Sequence, residues 1–463
     1  MPESLHPLET TNLIRDNYLR YLKTIYPFQE PDLREQLWRA LETPNLLVKG
    51  PLLEASPPFE SGRSIAQLIE DGVLHAGFRD LCSDALPLER PLYLHQEQGI
   101  DKAVRLGRNV VVATGTGSGK TETFLIPIFD HLLRERDAGT LNEPGVRAML
   151  LYPMNALAND QLKRLRRVLG HFPAITFGRY TGETRETDDD AKRAFRDQFP
   201  HEPVLDNELI SRVQMRDAPP HILLTNYAML EYLLLRPQDC EFFDGETGTH
   251  WRFIVLDEAH VYAGASGIEI AMLLRRLKDR VVDSEPGRLQ CIATSATLGR
   301  GREDFPAVTA FGSQLFGERF EWQDDDPDRQ DGGEATRLPM AALGAPWGKG
   351  PPGLYITLRQ TLPEQDAPRV AIDALTRAAV ENGVPEAVVD EARQGAAPGV
   401  GKEAINRFLY FVLRGDRRLH ALQDRLANEP HFLDDLATDI FPSQEDTSPK
   451  DAAERLIGLV ALA

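Results

Sequence analysis

Between Val111 and Thr121 the chain reads Val-Val-Ala-Thr-Gly-Thr-Gly-Ser-Gly-Lys-Thr, a short apolar strand, a glycine-rich turn and a Lys-Thr pair opening a helix. Few patterns restrict a fold so tightly. Gly115, Gly117 and Gly119 let the backbone curl until successive N–H groups point inward, the arrangement that cradles a phosphate. The predicted helix, starting near Gly119, adds the positive end of its dipole. Thr116, Gly117, Ser118 and Gly119 are the expected cradle, Lys120 the cation reaching the β- and γ-phosphates, and Thr121 the hydroxyl that holds Mg²⁺. Thr114 stands where the strict pattern has its first glycine. The apolar strand before the loop and Glu122-Thr123-Phe124-Leu125-Ile126 after it favour a phosphate loop over a turn with a surface lysine.

A second motif fits the first. Trp251 to Leu256 has the pattern of a buried strand and ends at Asp257-Glu258-Ala259-His260. Carboxylates at the C-terminal end of a parallel strand lie where an open α/β sheet binds its ligand. Asp257 is placed to contact Mg²⁺, and Glu258 to orient and deprotonate an attacking water. Alone, an acidic pair after a strand also fits a helix cap; with the phosphate loop it points to hydrolysis.

The order Gln96, Lys120-Thr121, Asp257-Glu258-Ala259-His260, Ser295-Ala296-Thr297 resembles a superfamily 2 helicase of the DExH branch, over residues 90–300. The resemblance implies a RecA-like α/β lobe with a mainly parallel sheet, hydrolysing ATP with Mg²⁺. It implies that Gln96, in Leu92-Tyr93-Leu94-His95-Gln96, reads the adenine edge. It further implies that His260, Ser295 and Thr297 couple hydrolysis to movement of a second lobe. Tyr152-Pro153-Met154-Asn155-Ala156-Leu157-Ala158, Tyr180-Thr181-Gly182-Glu183-Thr184 and Leu224-Thr225-Asn226-Tyr227 are similar to the family's backbone-contacting motifs. Pro153, Asn155, Thr181, Gly182, Thr225 and Asn226 are the implied contacts to DNA, single-stranded or forked. Met154 stands where many relatives have Thr. The fuller wording is similar to a narrower group, the large bacterial helicases related to MrfA and to the DISARM antiphage subunit DrmA.

The net charge of −19 argues against a general polyanion binder, so nucleic-acid contacts must be local. Lys163, Arg164, Arg166 and Arg167 follow the first of those motifs on one predicted helix. All four are candidate phosphate contacts, Lys163 and Arg166 foremost; an exposed, solvated helix face fits the same run equally well. Cys82, Cys240 and Cys291 form no CxxC pair, which argues against a zinc site or disulfide framework and fits a cytoplasmic protein. There is no run of about eighteen apolar residues, so no membrane partner is expected.

Apolar spacing over residues 1–89 predicts a helical accessory region, with helices at Leu13 to Leu22, Leu33 to Leu41 and two short ones in 65–81. Strands are predicted at 109–113, 147–152, 175–179, 221–225, 252–256 and 289–293, with an insertion outside the sheet at 184–218. Residues 301–365 read as an acidic, Pro/Gly-rich linker, and 366–463 as a helical appendage. After residue 300 no QxxGRxGR-like motif supplies arginine fingers. The expectation is therefore the first lobe of a larger motor, whose second RecA-like lobe lies further along or in a partner chain of a complex. Antiphage defence and DNA repair are the expected processes. A nucleotide-gated scaffold that does not unwind is the competing reading, and a small-molecule kinase is disfavoured by the backbone-contacting motifs.

Overall fold

The computed structural model describes residues 6–43, 46–115, 117–298, 302–338, 343–362, 368–399, 401–427, 429–442 and 449–462. The chain divides into two compact units, residues 58–338 and the combination of 1–57 with 339–463.

The first unit is built on eight parallel strands: β1 Val110–Ala113, β2 Ala148–Tyr152, β3 Phe177–Arg179, β4 Glu208–Leu209, β5 Ile222–Asn226, β6 Phe253–Leu256, β7 Gln290–Ser295 and β8 Gly332–Glu334. Their order across the sheet is β8-β1-β7-β6-β2-β5-β3-β4. Helices α1 Leu94–Arg105, α2 Lys120–Ala138, α3 Asn155–Leu169, α4 Asp188–Gln198, α5 Tyr227–Leu235, α6 Gly264–Val282 and α7 Phe305–Phe316 connect them. Successive strand residues face opposite sides. Ala148, Leu150 and Tyr152 of β2, with Phe253 and Val255 of β6, join the core under α2 and α3. Met149, Leu151, Ile254 and Leu256 join the opposite core, under α5, α6 and α7. The strands are apolar on both faces because both are covered. This is a RecA-like lobe, and the six predicted strands are all present in its sheet.

Three boundaries differ from the sequence reading. Residues 58–89 belong with the lobe: Ser61–Ser64 pairs antiparallel with Pro91–Tyr93. The segment read as a linker from 301 contributes α7 and then β8, which pairs with β1. Arg108 holds that return, its Nε donating to Asp331 Oδ1 at 2.5 Å and its Nη2 to Glu321 Oε2 at 2.8 Å. Within 184–218, Glu208–Leu209 adds an edge strand beside β3. Its anchor is buried Asn207, whose Nδ2 lies 2.9–3.1 Å from the carbonyls of Leu169, Phe172 and Ile175.

The second unit is helical, with Pro7–Ile25 and Pro31–Leu41 from the N-terminal part and helices from Leu354–Thr361 to Pro449–Leu462. Leu52–Leu53 pairs antiparallel with His431–Phe432. Phe408, Val412, Leu436, Leu456 and Leu459 share its core. Among the described residues no helix is long and apolar enough to cross a membrane.

Candidate ATP and nucleic-acid site

The C-terminal ends of β1, β7 and β6, three neighbouring strands, carry the phosphate loop, Ser295-Ala296-Thr297 and Asp257-Glu258. Gly117 and Gly119 take left-handed backbone angles, φ +79° and +69°. At Gly119 a Cβ would overlap Gln96 Nε2, so only glycine fits. Thr116 lies outside the described residues. Thr114, the departure from the strict pattern, uses the side chain a glycine lacks: its Oγ1 is 2.5 Å from Ser118 Oγ. Its backbone N–H donates to Ser295 O at 2.9 Å, joining the loop to β7.

Lys120 and Glu258 face each other, Nζ to Oε1 at 3.5 Å, with the two side chains only 10% and 22% exposed. Glu258 has φ +52°, ψ +47°, a left-handed conformation that costs a residue with a Cβ about 1–2 kcal/mol. That turn directs its other oxygen to within 3.3 Å of His260 Nδ1, which lies 3.2 Å from Ser295 Oγ. Ser295 Oγ accepts from Thr297 N at 3.2 Å. Glu258, His260, Ser295 and Thr297 thus lie one after another at contact distance, although Glu258 Oε2 takes part in no hydrogen bond among the described residues. Asp257 is buried; burial raises its pKa, while a hydrogen bond from Thr294 Oγ1 opposes the rise. Buried Tyr152, at the end of β2, leaves its hydroxyl without a hydrogen-bond partner among the described residues.

These groups fit a magnesium-bound nucleotide. The loop offers a left-handed glycine cradle, Lys120 a shielded cation, and Thr121 and Asp257 hard oxygen ligands of the type Mg²⁺ requires.

Gln96 is 4% exposed, and its amide is turned to the protein. Oε1 accepts from Tyr93 N at 2.7 Å, while Nε2 donates to Gly119 O at 2.6 Å and lies 3.4 Å from Glu122 Oε2. Both amide hydrogens are committed, so the side chain braces the loop here instead of presenting a free edge for adenine. His95 supports the same turn, with Nε2 3.0 Å from Ser118 O. Burial lowers its pKa, so the neutral ring donates through Nε2.

The next three strands of the sheet, β2, β5 and β3, carry the three segments similar to backbone-contacting motifs. Asn155 Nδ2 donates to Glu183 Oε1 at 3.0 Å and Asn226 Nδ2 to Asn155 Oδ1 at 2.8 Å, so the segments form one polar edge. Gly182 is exposed, and Pro153, Asn155 and Asn226 are half-buried. Three expected contacts are corrected. Thr225 is buried and donates its hydroxyl to Tyr180 O at 2.7 Å. Thr181 is buried and its hydroxyl accepts from Glu183 N at 3.3 Å. Both hold the edge from beneath. Arg166 is 10% exposed; it pairs with Glu208 and with Glu202 at 3.3 Å and stacks on Phe195, because β4 and α4 bring those groups against it. Lys163 is 51% exposed and only 3.8 Å from Asp160.

Gln161 escaped the sequence reading, as did the inward role of Arg164. Gln161 Nε2 donates to Thr121 Oγ1 at 3.4 Å, and Arg164 Nη2 to Glu122 Oε1 at 2.5 Å. The signal was the i, i+3 spacing of Gln161 and Arg164, which puts both on one face of α3.

Residues 93–305 match the DEAD/DEAH box helicase family. The chain is 30% identical to Druantia protein DruE of Escherichia coli (strain UMEA 4076-1) over 63% of its length and 20% of that protein's. It is 29% identical to the uncharacterized ATP-dependent helicase YprA of Bacillus subtilis (strain 168), over 50% of this chain and 26% of that one. The chain therefore spans about a fifth to a quarter of the length of these relatives. The DUF1998 helicase MrfA bound to DNA and AMPPNP aligns over 82% of this chain and 42% of its own, with 19% identity and a TM-score of 0.40.

Proposed function

We propose that this chain is the ATP-binding first lobe of a DNA helicase or translocase, acting in antiphage defence or DNA repair. One observation carries the reading: the C-terminal edge of the sheet is divided between two kinds of site. Neighbouring strands β1, β7 and β6 bear the phosphate loop, the hydroxyl pair and the acidic pair, while β2, β5 and β3 bear a polar edge with Asn155, Gly182 and Asn226. Nucleotide and strand would lie side by side on one rigid platform.

On this reading Lys120 neutralises the transferred phosphate and Thr121 and Asp257 hold Mg²⁺. The metal supplies charge neutralisation at the phosphates when bound. Glu258 takes the proton of the attacking water, and its carboxylate is kept aimed by Lys120 and His260. His260 and Ser295 pass the state of that carboxylate to the end of β7. A second RecA-like lobe, in the same longer protein or a partner chain, supplies the transition-state arginines.

Asn side chains and an exposed glycine offer hydrogen bonds to phosphates without reading bases. Binding of two single-stranded oligonucleotides of unrelated sequence, followed by anisotropy, tests this. Equal affinities that weaken with salt support it; no binding, or strict preference for one sequence, contradicts it.

A further inference from the structure

Helix α3 presents its charges on two different faces. Arg166 turns toward Glu208 and Glu202 and is neutralised. Lys163, which also borders the groove at Arg166, lines with Arg164 and Arg167 a second cavity of about 360 Å³, together with Arg90, Ala85, Asp160 and Glu122. Arg90 is delivered by the segment entering the Pro91–Tyr93 strand. Four cations and two carboxylates meet there, in a chain whose net charge is −19.

The two carboxylates do not cancel the cations. Glu122 is 7% exposed and forms the floor, accepting from Arg164 at 2.5 Å and Arg90 at 3.3 Å. Its charge is spent on fixing two guanidinium groups. Asp160 is 73% exposed and 3.8 Å from Lys163, a weak pairing in water. Lys163 and Arg167 are exposed on the rim. Fixed guanidinium forks beside a mobile ammonium suit phosphate oxygens. Among the described residues the wall has no aromatic ring on which a base would stack.

We propose that this cavity is a second phosphate site, taking the backbone of the nucleic-acid strand away from the polar edge at Asn155. It rests on the reading of the chain as a strand-binding lobe. Arg164 lies nine residues along α3 from Asn155, about 13 Å at 1.5 Å per residue. One strand contacting both would therefore be followed over several nucleotides, its phosphates held and its bases unread.

The test uses the intact protein and a single-stranded thymidine oligonucleotide, with affinity measured across a salt series. Lys163→Gln with Arg167→Gln should weaken binding at least about tenfold. The slope of log affinity against log salt should become shallower by about 1.4, the value for two contacts at about 0.7 each. Binding of inorganic pyrophosphate, measured by calorimetry, separates a strand site from a pocket for a free anion. Wild-type slope and affinity in the double variant overturn the proposal, as does loss of pyrophosphate binding with strand binding intact. No strand binding by the wild type overturns the proposed function itself, before the variant is considered. Both substituted residues are exposed, so folding is retained, and an unchanged thermal midpoint checks this.

Discussion

Lys120 faces Glu258 across 3.5 Å, and the pair has complementary tasks. Lys120→Ala should abolish ATP turnover and weaken nucleotide binding, because the phosphates lose their cation. Glu258→Gln should leave binding intact and stop turnover, because an amide cannot accept the water's proton. Equilibrium nucleotide binding beside a turnover assay separates the two. Gln96→Ala should weaken ATP and GTP alike, on the order of tenfold, because its amide braces Gly119 O. A loss confined to ATP would instead return Gln96 to adenine recognition. Lys120, Thr121, Asp257 and Glu258 were legible in the sequence because their roles follow from a local strand–loop pattern. Thr225 and Arg166 were not, since where they point depends on partners far along the chain: Tyr180 O for Thr225, Glu208 for Arg166.

Helix α3 joins both halves of the platform: Asn155 at its start lies on the polar edge, and Gln161 touches Thr121. Gln161→Ala should raise the Mg²⁺ concentration needed for half-maximal nucleotide binding, with strand affinity in the absence of nucleotide unchanged; an unaltered Mg²⁺ titration would show that the contact is incidental. The start of β5 carries a pH-sensitive anchor. His221 Nδ1 accepts from Thr176 N at 3.1 Å, and burial, then the nearby Arg147, hold its pKa down to about 4. The unfolded ring protonates near 6.5 and the folded ring only near 4. Its contribution to stability is therefore complete above pH 6.5 and lost as pH falls from 6.5 to 4. Thermal midpoints should fall across that window and fall less in His221→Gln; an equal fall in both excludes His221 as the source. Glu135, lowered to about 2 by hydrogen bonds from His131 and Arg147 against the opposing effect of burial, acts in the separate window from 4.5 to 2. Among the strands, β2, β5 and β6 were legible as apolar runs, whereas β8 is Gly-Gly-Glu and β4 has two residues, so neither carries a period or β-branched bulk to read. Phe305 packs where a side chain on Gly332 would lie, which is why that edge strand is glycine.

The molecule as a whole has two compact units, and residues 93–305, which match the DEAD/DEAH box helicase family, lie in one of them. The N-terminal helices and those after residue 366 were legible from apolar spacing, whereas the helix Leu354–Thr361 falls in the stretch read as a linker; their membership of one unit was not legible, because pairing Leu52–Leu53 with His431–Phe432 spans most of the chain. Arginines supplied from outside a phosphate-loop lobe contribute about 10³–10⁵ in rate. Residues 1–463 alone should accordingly bind Mg·ATP but turn it over slowly, and a second RecA-like lobe should raise that rate by orders of magnitude. Robust unwinding by residues 1–463 alone would contradict the need for that lobe. The account as a whole stands on ATP hydrolysis answering to the strand on the same sheet edge. Its most direct test is steady-state ATP turnover by the protein together with its second RecA-like lobe, with and without single-stranded DNA, in the wild type and in Glu258→Gln. The account predicts that the strand raises wild-type turnover at least about tenfold and that Glu258→Gln removes turnover in both conditions; equal wild-type rates with and without DNA, or undiminished turnover in Glu258→Gln, would contradict it.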